Sequence, residues 1–212
     1  MHETGDKQMT VVLEQIIAEC ALAFSANSED CNRFVKAVSA VFFDPDLFTG
    51  PNMNADAIVG QVRASPNWQN LGNSHAAAIA AAKKDKFVLA GMTSTELGGA
   101  HGHLAIVIGD DGQLSGSVLV PICYAGSLNP SARVQRERVS ATFGATFARE
   151  SKISYFARDP QTLPTTAALH RLVDRLRGLV SPVEVLAVGR KRARREKASK
   201  KSGGKKRKLE AA

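Results

Sequence analysis

Apolar residues recur at helical spacing near the start of the chain. Met9, Val12, Leu13, Ile16, Ile17, Cys20, Ala23 and Phe24 share one stripe, which predicts an amphipathic helix over 9–24. The polar break Ser25-Ala26-Asn27-Ser28-Glu29-Asp30 separates it from a second stripe, Cys31, Phe34, Val35, Val38, Val41 and Phe42. Asp30 suits the N-cap of that second helix, which sets Cys31 in the first turn, and Asp44-Pro45 ends it. Asn54 suits the cap of a short helix through Ile58 and Val62 to Ala64. Ser74 suits the cap of an Ala-rich helix over 75–84, with His75 expected in solvent.

The pattern then changes to short β-rich runs. Phe87-Val88-Leu89-Ala90 predicts a strand. The runs 103–108 and 117–124, separated by Gly109-Asp110-Asp111-Gly112, predict a β-hairpin, with Pro121 at an edge or bulge. Residues 126–150 are ambiguous, Ile153-Ser154-Tyr155-Phe156-Ala157 predicts a strand, and Leu169, Leu172, Val173 and Leu176 predict a late helix ended by Gly178. A last short apolar run covers 183–188. Helices come first and strands follow, so the expected class is α+β, with N-terminal helices packed on an antiparallel sheet.

Composition narrows the classes. With 212 residues the chain can bury roughly 70% of its unfolded surface without staples. Three cysteines exclude a disulfide framework, and no run approaches the roughly 18 apolar residues of a membrane span. The net charge of +8 is unevenly placed: residues 190–212 hold twelve Lys and Arg against Glu196 and Glu210, which puts +10 there and −2 on residues 1–189. The body is expected to be the domain (1–189) and the tail (190–212) a disordered appendage. The N-terminus is polar and of mixed sign, which does not fit a secretory signal, so synthesis in a cytoplasm is expected.

Two residues can carry chemistry together. Cys31 opens a helix, and His103 opens a β-rich run. A thiol attacks as the thiolate, and a helix N-terminus favours that anion. An imidazole beside it can take the thiol proton and return it to a leaving amine, while N–H groups at the helix start can hold an oxyanion. A buried structural thiol is the competing reading of Cys31. His101 competes with His103 but lies in a Gly-rich loop. Cys20 and Cys123 read as core residues. No CxxC or HExxH accompanies the histidines, so neither a metal nor a cofactor is expected, and Gly98-Gly99-Ala100-His101-Gly102 lacks the Lys-Ser/Thr of a phosphate-binding loop.

These residues also carry a resemblance. Asp30-Cys31-Asn32-Arg33-Phe34-Val35 resembles the D-C-S-G-F-V nucleophile helix of the NlpC/P60 peptidoglycan hydrolases, and Gly102-His103-Leu104-Ala105-Ile106-Val107 resembles their G-H-V-A-I-V strand. Asn54-Ala55-Asp56-Ala57-Ile58-Val59, Phe87-Val88-Leu89-Ala90-Gly91 and the segment Val120 to Leu128 resemble, in order, motifs of the first family of type VI secretion amidase effectors. The resemblance runs from about 9 to 157, leaving a C-terminal helical extension.

It implies a papain-like fold and a cysteine amidase that cuts peptidoglycan stem peptides between γ-D-glutamate and meso-diaminopimelate. It puts the nucleophile on Cys31 and the general base and acid on His103. It also implies an antibacterial toxin, acting as a monomer, delivered by type VI secretion to a rival's periplasm, where a cognate immunity protein would be its partner. Asn32 and Arg33 replace the family's Ser-Gly and become candidate substrate-binding residues. The family's third catalytic position falls on Ala125, which has no polar group to orient His103. A backbone carbonyl, a water, Ser115 or Ser117 is left for that task. The tail 190–212 allows an alternative reading, a non-enzymatic module that binds nucleic acid or another polyanion.

Overall fold

The computed structural model describes residues 11–43, 47–50 and 53–161. All of them belong to the unit Met1–Leu163. The predicted helix after Thr165, the run at 183–188 and the basic tail lie outside the described residues.

Three helices come first: α1 (Val11–Asn27), α2 (Cys31–Phe42) and α3 (Ala55–Ala64). Asp30 caps α2 in an extended conformation, and Asn54 caps α3 through a side-chain bond to the Ala57 N–H. Both caps follow from short polar side chains that accept orphan N–H groups. The chain continues through β1 (Gln69–Gly72), α4 (His75–Ala82), β2 (Phe87–Met92), α5 (Ser94–Leu97) and β3 (His103–Val107). Next come β4 (Gln113–Ser115), β5 (Val118–Val120), β6 (Ile122–Ala125) and β7 (Val134–Arg138), then α6 (Val139–Phe143), α7 (Ala145–Arg149) and β8 (Ser154–Arg158).

Six strands form one sheet in the order β1-β8-β2-β3-β6-β7, and every pair is antiparallel. The class is therefore α+β, with helices on an antiparallel sheet. Alternate residues along the central strands face opposite sides. Leu89, Leu104, Ile106 and Tyr124 join Phe34, Val35, Val38, Ile58 and Val59 from α2 and α3 in one core. Val88, Ala90, Ala105, Val107 and Tyr155 face the other way, onto Ala78 and Ala82 of α4 and Val139, Phe143 and Ala148 of α6 and α7. Both faces are covered, which explains why β2 is apolar at every position instead of alternating. Under the end of α2, Phe43, Phe48, Trp68 and Phe87 pack ring to ring. Each buried aromatic ring of this kind adds about 1.5–3 kcal/mol of transfer free energy.

Three expectations change. The predicted hairpin is partial: β3 and β6 do pair, at Ile106↔Tyr124 and Val107↔Cys123, but β4 and β5 between them form a separate two-stranded ribbon. Pro121 sits where the chain leaves that ribbon and enters the main sheet, so β6 is an interior strand and the missing N–H falls outside every strand. His75 is buried, not solvated: its Nε2 bonds the Ala148 carbonyl and its Nδ1 the Tyr155 hydroxyl, each at 2.8 Å. The carbonyl can only accept, so Nε2 carries the proton and Nδ1 accepts from Tyr155. The ambiguous stretch 126–150 resolves into a tight turn at Pro130–Ala132, then β7, α6 and α7.

Candidate active site

A cavity of about 290 Å³ opens where the start of α2, the start of α3, the loop before β3 and the loop after β6 meet. Cys31, Asn32, His103 and Thr142 all line it, together with the Asp30 and Asp56 carboxylates. The two residues singled out for chemistry therefore share one hollow. Two glycines let these segments approach. A Cβ on Gly102 would collide with Asp56 Oδ1 and lie 2.8 Å from the Met92 carbonyl oxygen. A Cβ on Gly126 would lie 2.8 Å from the carbonyl oxygens of both Asn27 and Asp30. The second contact presses the loop after β6 onto the turn before α2, where the Ser127 N–H donates to the Ser28 carbonyl at 2.8 Å. Asp56 holds the other side by accepting the Ser94 N–H at 2.8 Å and the Ser94 hydroxyl.

Cys31 is the first residue of α2. Burial and the neighbouring Asp30 charge push its thiol up to about 11, against pulls from the N–H groups of Leu104, Cys31 and Asn32. The helix N-terminus is less available than its position suggests. Asp30 Oδ1 already accepts the N–H of Asn32 at 2.7 Å and of Arg33 at 3.0 Å. The cap that builds the helix thus occupies two of the donors expected to serve an oxyanion, and adds a negative charge beside the sulfur.

His103 opens β3, between β2 and β6. The Phe143 ring meets its imidazole edge to face, with centroids 4.9 Å apart. Burial in this apolar setting pushes the imidazole down to about 4. Its Nε2 lies 2.6 Å from Thr142 Oγ1, and that hydroxyl lies 2.7 Å from the Ala132 carbonyl oxygen. The directions follow from chemistry. The carbonyl can only accept, so the Thr142 hydroxyl spends its one proton there. It must then accept from His103, so Nε2 carries the ring proton and Nδ1 keeps its lone pair. Nδ1 has no hydrogen-bond partner among the described residues. At neutral pH the resting pair is a thiol and a neutral imidazole, not a thiolate–imidazolium pair.

Thr142 is the orienting group that the sequence did not reveal. Ser115 and Ser117, the side chains considered for that task, belong to the β4–β5 ribbon and do not line the cavity. Ala125 is fully buried in the core, as are Cys20 and Cys123. His101 lines the cavity but is exposed, without a hydrogen-bond partner among the described residues. Asn32 faces the cavity, whereas Arg33 does not line it: its side chain is 78% exposed and approaches only the Asp30 carboxylate, at 4.0 Å. Among the described residues no group of three His, Cys, Asp or Glu side chains could hold a metal ion, and no helix is long and apolar enough to cross a membrane.

No known protein-family profile matches the chain, and no curated protein matches it significantly.

Proposed function

We propose that the protein is a papain-like cysteine amidase of the NlpC/P60 kind that cleaves peptidoglycan stem peptides. One observation carries the reading. Cys31, at the start of a capped helix, and His103, held by Thr142 and with no partner at Nδ1 among the described residues, line a single cavity. Burial keeps the imidazole unprotonated at neutral pH, so Nδ1 offers a lone pair, while making it a weaker base than an ordinary imidazole.

In this mechanism Cys31 Sγ attacks the amide carbonyl while its proton passes to His103 Nδ1. The carbonyl π pair moves to oxygen. Collapse of the tetrahedral species breaks the C–N bond, and Nδ1 returns the proton to the departing amine. Water then attacks the thioester, losing a proton to Nδ1, and frees the acid and the thiol. Thr142 keeps Nε2–H pointed away from the reaction throughout.

The resemblance to the first family of type VI secretion amidase effectors implies the bond between γ-D-glutamate and meso-diaminopimelate. The same resemblance carries the wider reading of an effector delivered by type VI secretion and neutralised by a periplasmic immunity protein. The test is mass spectrometry of purified stem tetrapeptide after incubation with the protein. The expected products are the two halves of the γ-D-glutamyl amide. Cys31→Ala should produce none, and undiminished cleavage by that variant would reject the mechanism.

A further inference from the structure

Acyl transfer through Cys31 needs donors for the oxyanion, and Asp30 occupies two of the expected ones. The N–H groups of Asn32 and Arg33 both end on its Oδ1. From the first turn that leaves the N–H of Cys31 itself, and one N–H is a poor match for an oxygen that gains a full charge.

The side chains around the cavity supply a second candidate. Three asparagines line it. Asn54 accepts from the Ala57 N–H as the cap of α3, and Asn129 accepts from the Ser131 N–H and hydroxyl in the turn at Pro130–Ala132. None of the three Nδ2 groups has a partner among the described residues, but the oxygens of Asn54 and Asn129 turn those two amides to the backbone. Asn32 differs in where its oxygen goes. Its Oδ1 is the partner of the Cys31 Sγ–H at 3.5 Å, and its Nδ2 has no partner among the described residues. Its side chain is half-buried, beside the sulfur and inside the cavity.

We infer that the Asn32 side-chain amide is a catalytic group, donating Nδ2–H to the oxyanion together with the Cys31 N–H. This rests on the amidase reading and adds a residue to it. In the resting state Asn32 Oδ1 accepts the thiol proton's hydrogen bond. Once that proton is on His103 and the Sγ–C bond has formed, the substrate oxygen carries the charge, and only the NH₂ end of the amide can serve it. The two donors then come from adjacent residues on one helical turn, which fixes their separation before substrate arrives. The cap, the nucleophile and the oxyanion donor are thus the consecutive residues Asp30, Cys31 and Asn32.

The experiment separates this role from a structural one. Asn32→Ala and wild type are compared on stem tetrapeptide and on iodoacetamide. Iodoacetamide alkylates Cys31 by displacement at a methylene and forms no oxyanion. Losing one such donor should lower kcat by about 10²–10³-fold, with KM and the alkylation rate each within about threefold of wild type. A kcat within about threefold of wild type overturns the inference alone, as does a parallel loss of alkylation. A wild-type protein that cleaves no stem peptide overturns the amidase reading and the inference with it.

A measurement on the unmutated chain guards against a variant that fails to fold. A stem-peptide aldehyde should add to Cys31 as a hemithioacetal and shift the Asn32 side-chain amide proton downfield. An adduct that leaves that resonance unmoved overturns the inference.

Discussion

Thr142→Val tests the claim that a hydroxyl and a carbonyl do the work usually given to a carboxylate or amide behind a catalytic imidazole. Valine preserves the branched shape and removes two hydrogen bonds, from His103 Nε2–H to Oγ1 and from Oγ1–H to Ala132. Each such bond contributes about 1 kcal/mol net, and groups left unpaired in this buried corner raise the cost, so a loss of about 2–4 kcal/mol in unfolding free energy is expected. The functional effect has a separate origin. Without an acceptor at Nε2 the ring proton can move to Nδ1, and every molecule in that form lacks the lone pair that the proposed mechanism uses. A lost preference of about 1.4 kcal/mol changes the tautomer ratio about tenfold, and imprecise orientation adds to it. The expected fall in kcat is about 10–100-fold with little change in KM. Thr142→Ser, which keeps the hydroxyl, should recover most of it. Long-range ¹⁵N–¹H spectra of the histidine ring read the tautomer directly and need no substrate. Wild type should show a protonated Nε2 and a bare Nδ1 at His103. If Thr142→Val shows the same pattern and keeps its kcat, the relay from Ala132 through Thr142 to His103 has no role in catalysis.

His103 is held at about 4 against an ordinary 6.5. The unfolded chain therefore takes up a proton below about 6.5 that the folded state refuses. Stability is fully present above that pH and falls by about 3 kcal/mol as pH drops toward 4. Thermal melts should show the loss in wild type and a smaller one in His103→Gln, and equal slopes would reject it. The acid limb of kcat/KM should lie near 4, not near 6.5. His75→Ala leaves the Tyr155 hydroxyl and the Ala148 carbonyl unpaired around a cavity, so denaturant titration should find a loss of about 2–4 kcal/mol with Cys31 still open to alkylation. Gly102→Ala forces a methyl against Asp56 and the Met92 carbonyl, and should cost about 1–3 kcal/mol and slow Cys31 alkylation; a wild-type melting curve would contradict the close approach.

What could be read from the sequence was mostly local. Asp30, Asn54 and Ser74 stand where caps must stand, and each does cap the helix that follows. The apolar stripe of α2 faces the core, and Cys31 with His103 comes to one cavity. The misses share a cause. Thr142 and His103 are 39 positions apart, and a hydroxyl-to-imidazole bond has no spacing signature. Its helix, α6, is five residues long, too short for a periodicity to register. His75 stands in a helix that is otherwise Ala and Ile, so no polar face told which way its ring would turn. Packing against β8 and α7 decided that. The edge strand β1 is polar and exposed at most positions, with no alternation to betray it. For Asn32, what distinguishes it is that its amide oxygen meets the Cys31 thiol while those of Asn54 and Asn129 serve backbone turns, and that is a property of the folded cavity.

The placement of His103 has a consequence for how the protein fails. β3 pairs with β2 along its whole length but with β6 only at Ile106 and Val107, and its residues from Leu104 onward are almost wholly withdrawn from water. His103 is the end residue of that strand, held by the ladder to Met92 and by its ring bond to Thr142. Moving it out of the cavity means opening only this end of the β2–β3 ladder, and such local openings lie below the free energy of complete unfolding. Heat should therefore abolish activity before it melts the sheet, and circular dichroism should find a folded but inactive form in between.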